Sequence, residues 1–351
     1  MKKNIKTPLI IVGLIGLLIL AFLAGAYFYR AGILSQIKSR LLPQPTPTAA
    51  EITPEIVPDF NFQFLEDPGL AAMNSTPLEN NDEPIKFLVS GHIYGKPGED
   101  DFHPSPTLLR NISLLRLENP DFVVFLGDTV WKPSNENFDL LDLLILDPFE
   151  VPVFNAVGNH DVTKRDLYQS RYGNTVYAFV YKHQLFFILD TTLKYYDLNA
   201  DQLSFVENTI EDQIQISDIT TVNIFMHHVL FLDEGEVSGK QLLKPNEGDG
   251  TSAAFHEFLQ STIYPISQSI PVYIYAGDVG AFSKGNLSPL YKKSPDYDVT
   301  FVATGIGNNK FDSILIVQED PNGLLNISPF SLTGKSMNPI ENYDFQYWLS
   351  K

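Results

Sequence analysis

Five short polar clusters in this chain carry side chains that can hold a cation or move a proton, and each follows an apolar run directly. Ser90-Gly91-His92 follows Phe87-Leu88-Val89, and Gly127-Asp128 follows residues 123–126. Gly158-Asn159-His160-Asp161 follows 153–157, His227-His228 follows 224–226, and Gly277-Asp278-Val279-Gly280 follows 273–276. Carboxylates, imidazoles and an amide oxygen suit a divalent cation and the phosphate oxygens it would hold. Taken singly, each cluster also has an ordinary use: Gly-Asn and Gly-Asp-x-Gly make turns, and Asp128 after a glycine can cap a helix. There are no cysteines, which excludes thiolate nucleophiles, thiolate zinc sites and disulfides together.

Buried strands alternating with helices must position these clusters. Apolar runs at 85–89, 122–126, 153–157, 184–189, 222–226, 272–276, 301–303 and 314–317 predict strands. Helical spacing recurs between them, at Leu108, Ile112 and Leu115, over 138–146, and at Leu203, Val206, Ile210 and Ile214. Asn199 offers an N-cap for the last helix, with Gln202 three residues on. This alternation predicts a layered α/β domain, whose ligands gather at the carboxyl ends of strands. The five clusters therefore converge. A Gly-rich, charged insertion over 233–251 predicts a loop above them.

The formal net charge is -18, and the charge is unevenly spread: all 42 acidic residues but only 18 of the 24 basic ones lie from Glu51 onward. So acidic a body repels nucleic-acid backbones, and no duplex partner is expected. Residues 1–7 are basic, and 8–29 carry no charge. A helix of that length spans roughly 30 Å, enough for a bilayer core. Ala24-Gly25-Ala26 resembles a cleavage site, but the apolar run exceeds a usual signal-peptide core, and an uncleaved anchor is expected. The denser basic cluster precedes the helix, which places the N-terminus in the cytoplasm and the body outside the cell. Residues 30–60 are a Pro-rich tether. The catalytic domain is expected over 84–330, and 331–351 form a C-terminal extension.

The order strand, helix, Gly-Asp, strand, Gly-Asn-His-Asp, strand, His-His, strand, Gly-x-x-Gly resembles the calcineurin-like metallophosphoesterases. Asn119-Pro120-Asp121-Phe122-Val123-Val124 before Leu126-Gly127-Asp128, and Leu189-Asp190-Thr191 before the capped helix, add to the likeness. It covers about residues 85–317. The resemblance implies a four-layer sandwich of two mixed β-sheets flanked by helices, with a dinuclear metal site at the strand ends. It implies Asp128 as bridging ligand, Asn159 and His227 as ligands of one metal, and His160 as the group that contacts phosphate or protonates the leaving oxygen. The candidate catalytic residues are thus His160 and Asp128, and the candidate metal ligands are Asp128, Asn159, His227, Asp278 and His92.

Two motifs depart from the family pattern. Ser90-Gly91-His92 stands where Asp-x-His is expected, so a hydroxyl replaces a carboxylate; an alternative register puts Gly91 in the Asp position and loses both ligands. Gly277-Asp278-Val279-Gly280 stands where Gly-His-x-His is expected; Asp278 can coordinate and Gly280 cannot. One metal position keeps Asp128, Asn159, His227 and Asp278, while the other keeps Asp128 and His92. One tight divalent cation, Mn, Fe, Zn or Mg, and a weak or absent second are expected. Ser90, His228 and Asp161 are candidate supports for the ligands, and His228 is equally a core histidine. His103 could enter from the loop holding Glu99, Asp100 and Asp101, whereas His183, His256 and Asp190 are expected to be structural.

The expected partners are a phosphorylated small molecule or envelope component, and the membrane through its N-terminal helix. Two readings follow: an extracytoplasmic metal-dependent hydrolase of phosphate mono- or diesters, and a silent relative that binds a phosphorylated ligand or an envelope partner. An acyl-ester hydrolase at Gly127-Asp128-Thr129 lacks the serine it needs.

Overall fold

Alternation along the first predicted strand sets the architecture. In Lys86–Ser90, Phe87 and Val89 enter one apolar cluster and Leu88 a second, so the strand is covered on both faces. The computed structural model describes residues 62–95, 104–194, 196–232, 252–280 and 287–350. Its strands are β1 (Gln63–Leu65), β2 (Lys86–Ser90), β3 (Phe122–Phe125), β4 (Val153–Asn155), β5 (Tyr177–Tyr181) and β6 (Gln184–Ile188). They continue as β7 (Thr221–Met226), β8 (Val272–Ala276), β9 (Leu290–Lys293), β10 (Val299–Ala303), β11 (Ser313–Glu319) and β12 (Leu325–Ser331). Two mixed sheets result, ordered β1-β5-β6-β7-β8-β10-β9 and β12-β11-β2-β3-β4.

The sheets face each other across aromatic rings. Phe87 and Phe122 of one sheet meet Phe186 of the other edge-on, with centroids 5.8 and 5.4 Å away. Helices cover both outer faces. Over the smaller sheet, α1 (Pro106–Leu109), α2 (Ile112–Leu117) and α3 (Asn135–Leu141) bring Leu108, Leu115 and Phe138 against Leu88, Val123 and Phe125, and α4 (Arg165–Tyr172) adds Tyr168. Over the larger sheet, α5 (Ala200–Ile216) sets Phe205 6.1 Å from Phe187, and α6 (Ala253–Phe258) buries Phe255. The short α7 (Phe345–Leu349) docks through Trp348, whose indole N–H donates to the Pro289 carbonyl at 2.9 Å.

Two helix details differ from the sequence expectation. The helix predicted over 138–146 begins as α3 and widens into a π turn at Asp142–Leu146, which ends two residues before Pro148. A proline ring clashes with the carbonyl four residues back, and a widened turn moves that carbonyl away. At α5, Asn199 caps as expected by accepting from the Gln202 N–H at 2.9 Å. The Gln202 side chain does not return the bond; it holds both the N–H and the carbonyl of Asp190.

Register brings the strand ends level. Ser90 pairs with Phe125 and Phe125 with Asn155 in one sheet, while Met226 pairs with Ala276 and Ala276 with Ala303 in the other. Every polar cluster therefore leaves its strand at the same edge. The two edges nearly touch: a Cβ on Gly91 would lie 2.7 Å from the Gly277 Cα. The apolar segment 8–29, the tether 30–60, His103 with its acidic neighbours, and the insertion 233–251 lie outside the described residues. Among the described residues no helix is long and apolar enough to cross a membrane.

Candidate metal centre

The turn after β3 is where the backbone is most constrained. Gly127 has φ +79, and a Cβ there would overlap the Gly158 nitrogen and crowd His227 Nδ1. Only glycine fits that close approach. Asp128 also lies in the left-handed region, at φ +57, an uncommon conformation for a side-chain-bearing residue. What holds it there is Asp161, fully buried in the next strand's turn. Its Oδ2 accepts from the N–H groups of Asp128 at 2.8 Å and Gly158 at 2.9 Å. Its Oδ1 accepts from the Thr129 N–H and hydroxyl, both at 2.8 Å. Asn155, at the end of β4, accepts from the Gly127 N–H at 3.1 Å and donates to Asp161 and to the Tyr168 hydroxyl. The Gly-Asp and Gly-Asn-His turns are thereby tied into one piece.

Asp128 then stands among imidazoles. Its Oδ1 lies 3.5 Å from His227 Nε2 and accepts from the His160 N–H at 3.1 Å; its Oδ2 lies 3.6 Å from His92 Nε2 and accepts from the Tyr94 hydroxyl at 3.1 Å. Asp278 reaches the same point from β8, with Oδ1 3.1 Å from His92 Nε2 and 3.9 Å from His227 Nε2. His227 donates through Nδ1 to the Leu126 carbonyl at 2.7 Å. That bond leaves Nε2 facing the two carboxylates, buried and without a hydrogen-bond partner. His228 repeats the arrangement, with Nδ1 2.6 Å from the Thr191 hydroxyl and a buried, unpartnered Nε2.

Charge follows from this crowding. Burial pushes the Asp128 carboxyl up, but His227, His92 and His160 outweigh it and hold the group below its ordinary value. Asp278 is held well down in the same way, against burial, by its bond to His92 and the nearby His227 and His228. For His227 burial opposes the charge, yet Asp128 and Asp278 raise it above an ordinary imidazole. Burial beside His227 drops His228 to about 3, so it is neutral. Burial and the Asp128 charge raise the Tyr94 phenol far above its usual range, which keeps it a donor.

This donor set fits a divalent cation. Two overlapping groups, His92 with Asp128 and His227, and His227 with His228 and Asp278, each bring three ligand atoms within 4.8 Å of one another. Orphaned imidazole nitrogens beside carboxylates, each fixed through its other nitrogen, are what a metal ligand presents. Asn159 lies half-buried in the turn between Gly158 and His160. Of the predicted ligands, Asp128, His92, His227 and Asp278 thus meet, and His228 joins them.

Ser90 does not: its hydroxyl turns to the Ser313 carbonyl at 3.4 Å. Nor does position 280, where φ is +98 and any Cβ would overlap the Gly305 carbonyl oxygen. Three neighbours were not foreseen: Tyr94, Asn155 and Trp131. The Trp131 indole stacks on the His160 ring at 4.1 Å, and its carbonyl accepts from His160 Nδ1 at 3.0 Å.

Among solved structures, a dimetal phosphatase from Danio rerio shares the fold with a TM-score of 0.51, at 15% identity over 71% of this chain and 97% of its own. PhoD is 12% identical over 72% of this chain and 70% of its own, with a TM-score of 0.45. No curated protein matches. The calcineurin-like phosphoesterase profile matches residues 85–302, a span that begins just before β2, ends within β10 and contains all five clusters. By that match the chain belongs to the calcineurin-like phosphoesterase family.

Proposed function

We propose that this protein hydrolyses phosphate mono- or diesters with a single tightly held divalent cation, outside the cell, on an N-terminal membrane anchor. The observation that carries the hydrolase reading is His227 Nε2, buried and unpartnered between the carboxylates of Asp128 and Asp278. Asp128, Asn159, His227 and Asp278 would hold the cation, with His92 beside them. When bound, it supplies Lewis-acid polarisation and an activated water. The chain's own part is positioning and proton transfer. The Trp131 carbonyl accepts from His160 Nδ1, which turns Nε2 outward, where the imidazolium form would donate to a phosphoryl oxygen or give its proton to the leaving oxygen. Tyr94 and the His160 N–H hold both oxygens of Asp128 in place. The anchor reading rests on the uncharged run over 8–29 and the basic residues before it.

A second reading is favoured by Ser90 and Gly280, which remove two ligands: a protein that binds a phosphorylated ligand or an envelope partner without turnover. Assays of purified protein with p-nitrophenyl phosphate and bis-p-nitrophenyl phosphate plus Mn²⁺ separate the two. The hydrolase reading expects turnover that Asp128→Asn abolishes together with metal binding. Turnover that survives in Asp128→Asn sinks the assignment, and tight metal binding without turnover selects the second reading.

A further inference from the structure

Beside the metal centre the chain presents basic side chains without acidic partners, which is unusual for a protein of net charge -18. Arg110, Lys310 and Lys335 line a pocket of about 470 Å³ together with Thr107, Asn309 and Thr333, and no carboxylate lines it. Six other basic side chains, Arg116, Arg165, Arg171, Lys182, Lys194 and Lys293, form ion pairs, while the Lys86 ammonium donates to the Glu118 carbonyl. Among the described residues Arg110, Lys310 and Lys335 form none. The Lys310 ammonium instead lies 4.8 Å over the Phe311 ring, a contact that keeps its charge.

The pocket belongs to the catalytic edge. Leu315 of β11 pairs with Val89 of β2, and Ser313 with Ser331 of β12, so the segments before β11 and after β12 leave at the end where His92 sits. The Asn309 amide donates to the Gly280 carbonyl at 3.2 Å, two residues from Asp278. On the other side, Asn308 accepts from the Ser105 hydroxyl at 2.7 Å, and a Cβ on Gly95 would meet its Oδ1 at 2.7 Å; Gly95 N–H in turn binds the His92 carbonyl at 2.8 Å. Beneath the pocket, buried Asp312 accepts from Thr107 and from the N–H groups of Gly307 and Asn309, which fixes the wall. An open pocket of this size, lined by three cations that form no ion pair and tied by these hydrogen bonds to the turns of the metal centre, selects an anion.

We propose that Arg110, Lys310 and Lys335 bind a second anionic group, a phosphate or carboxylate, carried by the substrate away from the bond that is cut. This rests on the hydrolase reading for the word substrate, while the anion site itself does not. Two measurements on the full chain keep them apart. Calorimetric titration of EDTA-treated protein with inorganic phosphate, compared between wild type and variant, tests the pocket without turnover. The double variant Lys310→Glu with Lys335→Glu is expected to weaken binding about tenfold, a modest figure because the side chains are exposed and screened by salt. Both positions are exposed, and circular dichroism checks that the variant is folded. Equal affinity in wild type and variant overturns the site.

The ratio of kcat/KM for fructose 1,6-bisphosphate over fructose 1-phosphate tests the substrate assignment. It is expected to fall about tenfold in the same variant. An unchanged ratio with weakened phosphate binding assigns the pocket to a free anion and overturns the substrate assignment. No turnover of either sugar phosphate or of the nitrophenyl esters defeats the hydrolase reading and the substrate assignment with it, and the titration still decides the pocket.

Discussion

The two sides of the metal centre have been treated differently by the backbone. On the side of β7 and β8, His227 and Asp278 stand with fixed tautomer and depressed carboxylate, ready for a cation. At the second metal position, Ser90 of β2 has turned into the sheet and position 280, two residues past Asp278, has closed against Gly305. The contrast teaches that a ligand lost by residue type can also be lost by space. Asp278 stands in for a histidine because a carboxylate fits the same turn, whereas Gly280 is locked in by φ +98 and the carbonyl beside it.

Removing the prepared side should have the largest effect. His227→Ala is expected to weaken Mn²⁺ binding at least a thousandfold, roughly 4 kcal/mol, by calorimetric titration, since it also leaves the two carboxylates unpaired. A loss under tenfold would mean the prepared side is not where the cation sits. Refilling the closed side comes next. Gly280→His should cost about 3 kcal/mol in denaturant unfolding rather than create a metal position, because it demands a strained backbone and displaces Gly305. A stable variant that binds a second equivalent would break the comparison.

Acidity gives a smaller effect. His227 has its folded-state value raised, so its protonated form stabilises the metal-free protein fully below an ordinary imidazole value of about 6.5, and this is lost as pH rises through the raised value. The cation needs the neutral ring, so affinity should rise over that same window, by about tenfold per pH unit at most. A flat profile from pH 6 to 8 would remove His227 from the ligand set. Ser90→Ala should do least: Mn²⁺ affinity within a factor of about two, and stability within about 1 kcal/mol, as its bond to Ser313 is long.

The strands that carry the centre were legible because strands buried on both faces read as unbroken apolar runs, as in 122–125 and 272–276. The departures at Ser90 and Gly280 were legible too, since residue type alone removes a ligand. What the sequence hid was contact made from loops. Tyr94 and Trp131 reach Asp128 and His160 only because the turns after β2 and β3 bend back, with His92 and Asp128 at positive φ.

Strand β5 was passed over because its hairpin to β6 turns on Lys182-His183, at φ +47 and +61, where Asn-Gly would be the usual signal. Strand β12 holds Pro329, which reads against a strand but is tolerated at the edge where it lies. His228 was open between core residue and ligand partner, and its unpartnered nitrogen could be seen only in three dimensions.

The stacking of Trp131 on His160 has an optical consequence. The chain has two tryptophans, and they sit in contrasting places: Trp348 is buried with its indole N–H held by Pro289, while Trp131 is half-buried over the His160 ring. On the proposed reading, a phosphoester arriving at His160 would change that stacking contact and with it the Trp131 emission. Removing Trp348 leaves a protein whose tryptophan fluorescence comes from the turn after β3 alone, so occupancy of the metal centre would become readable without a label and without turnover.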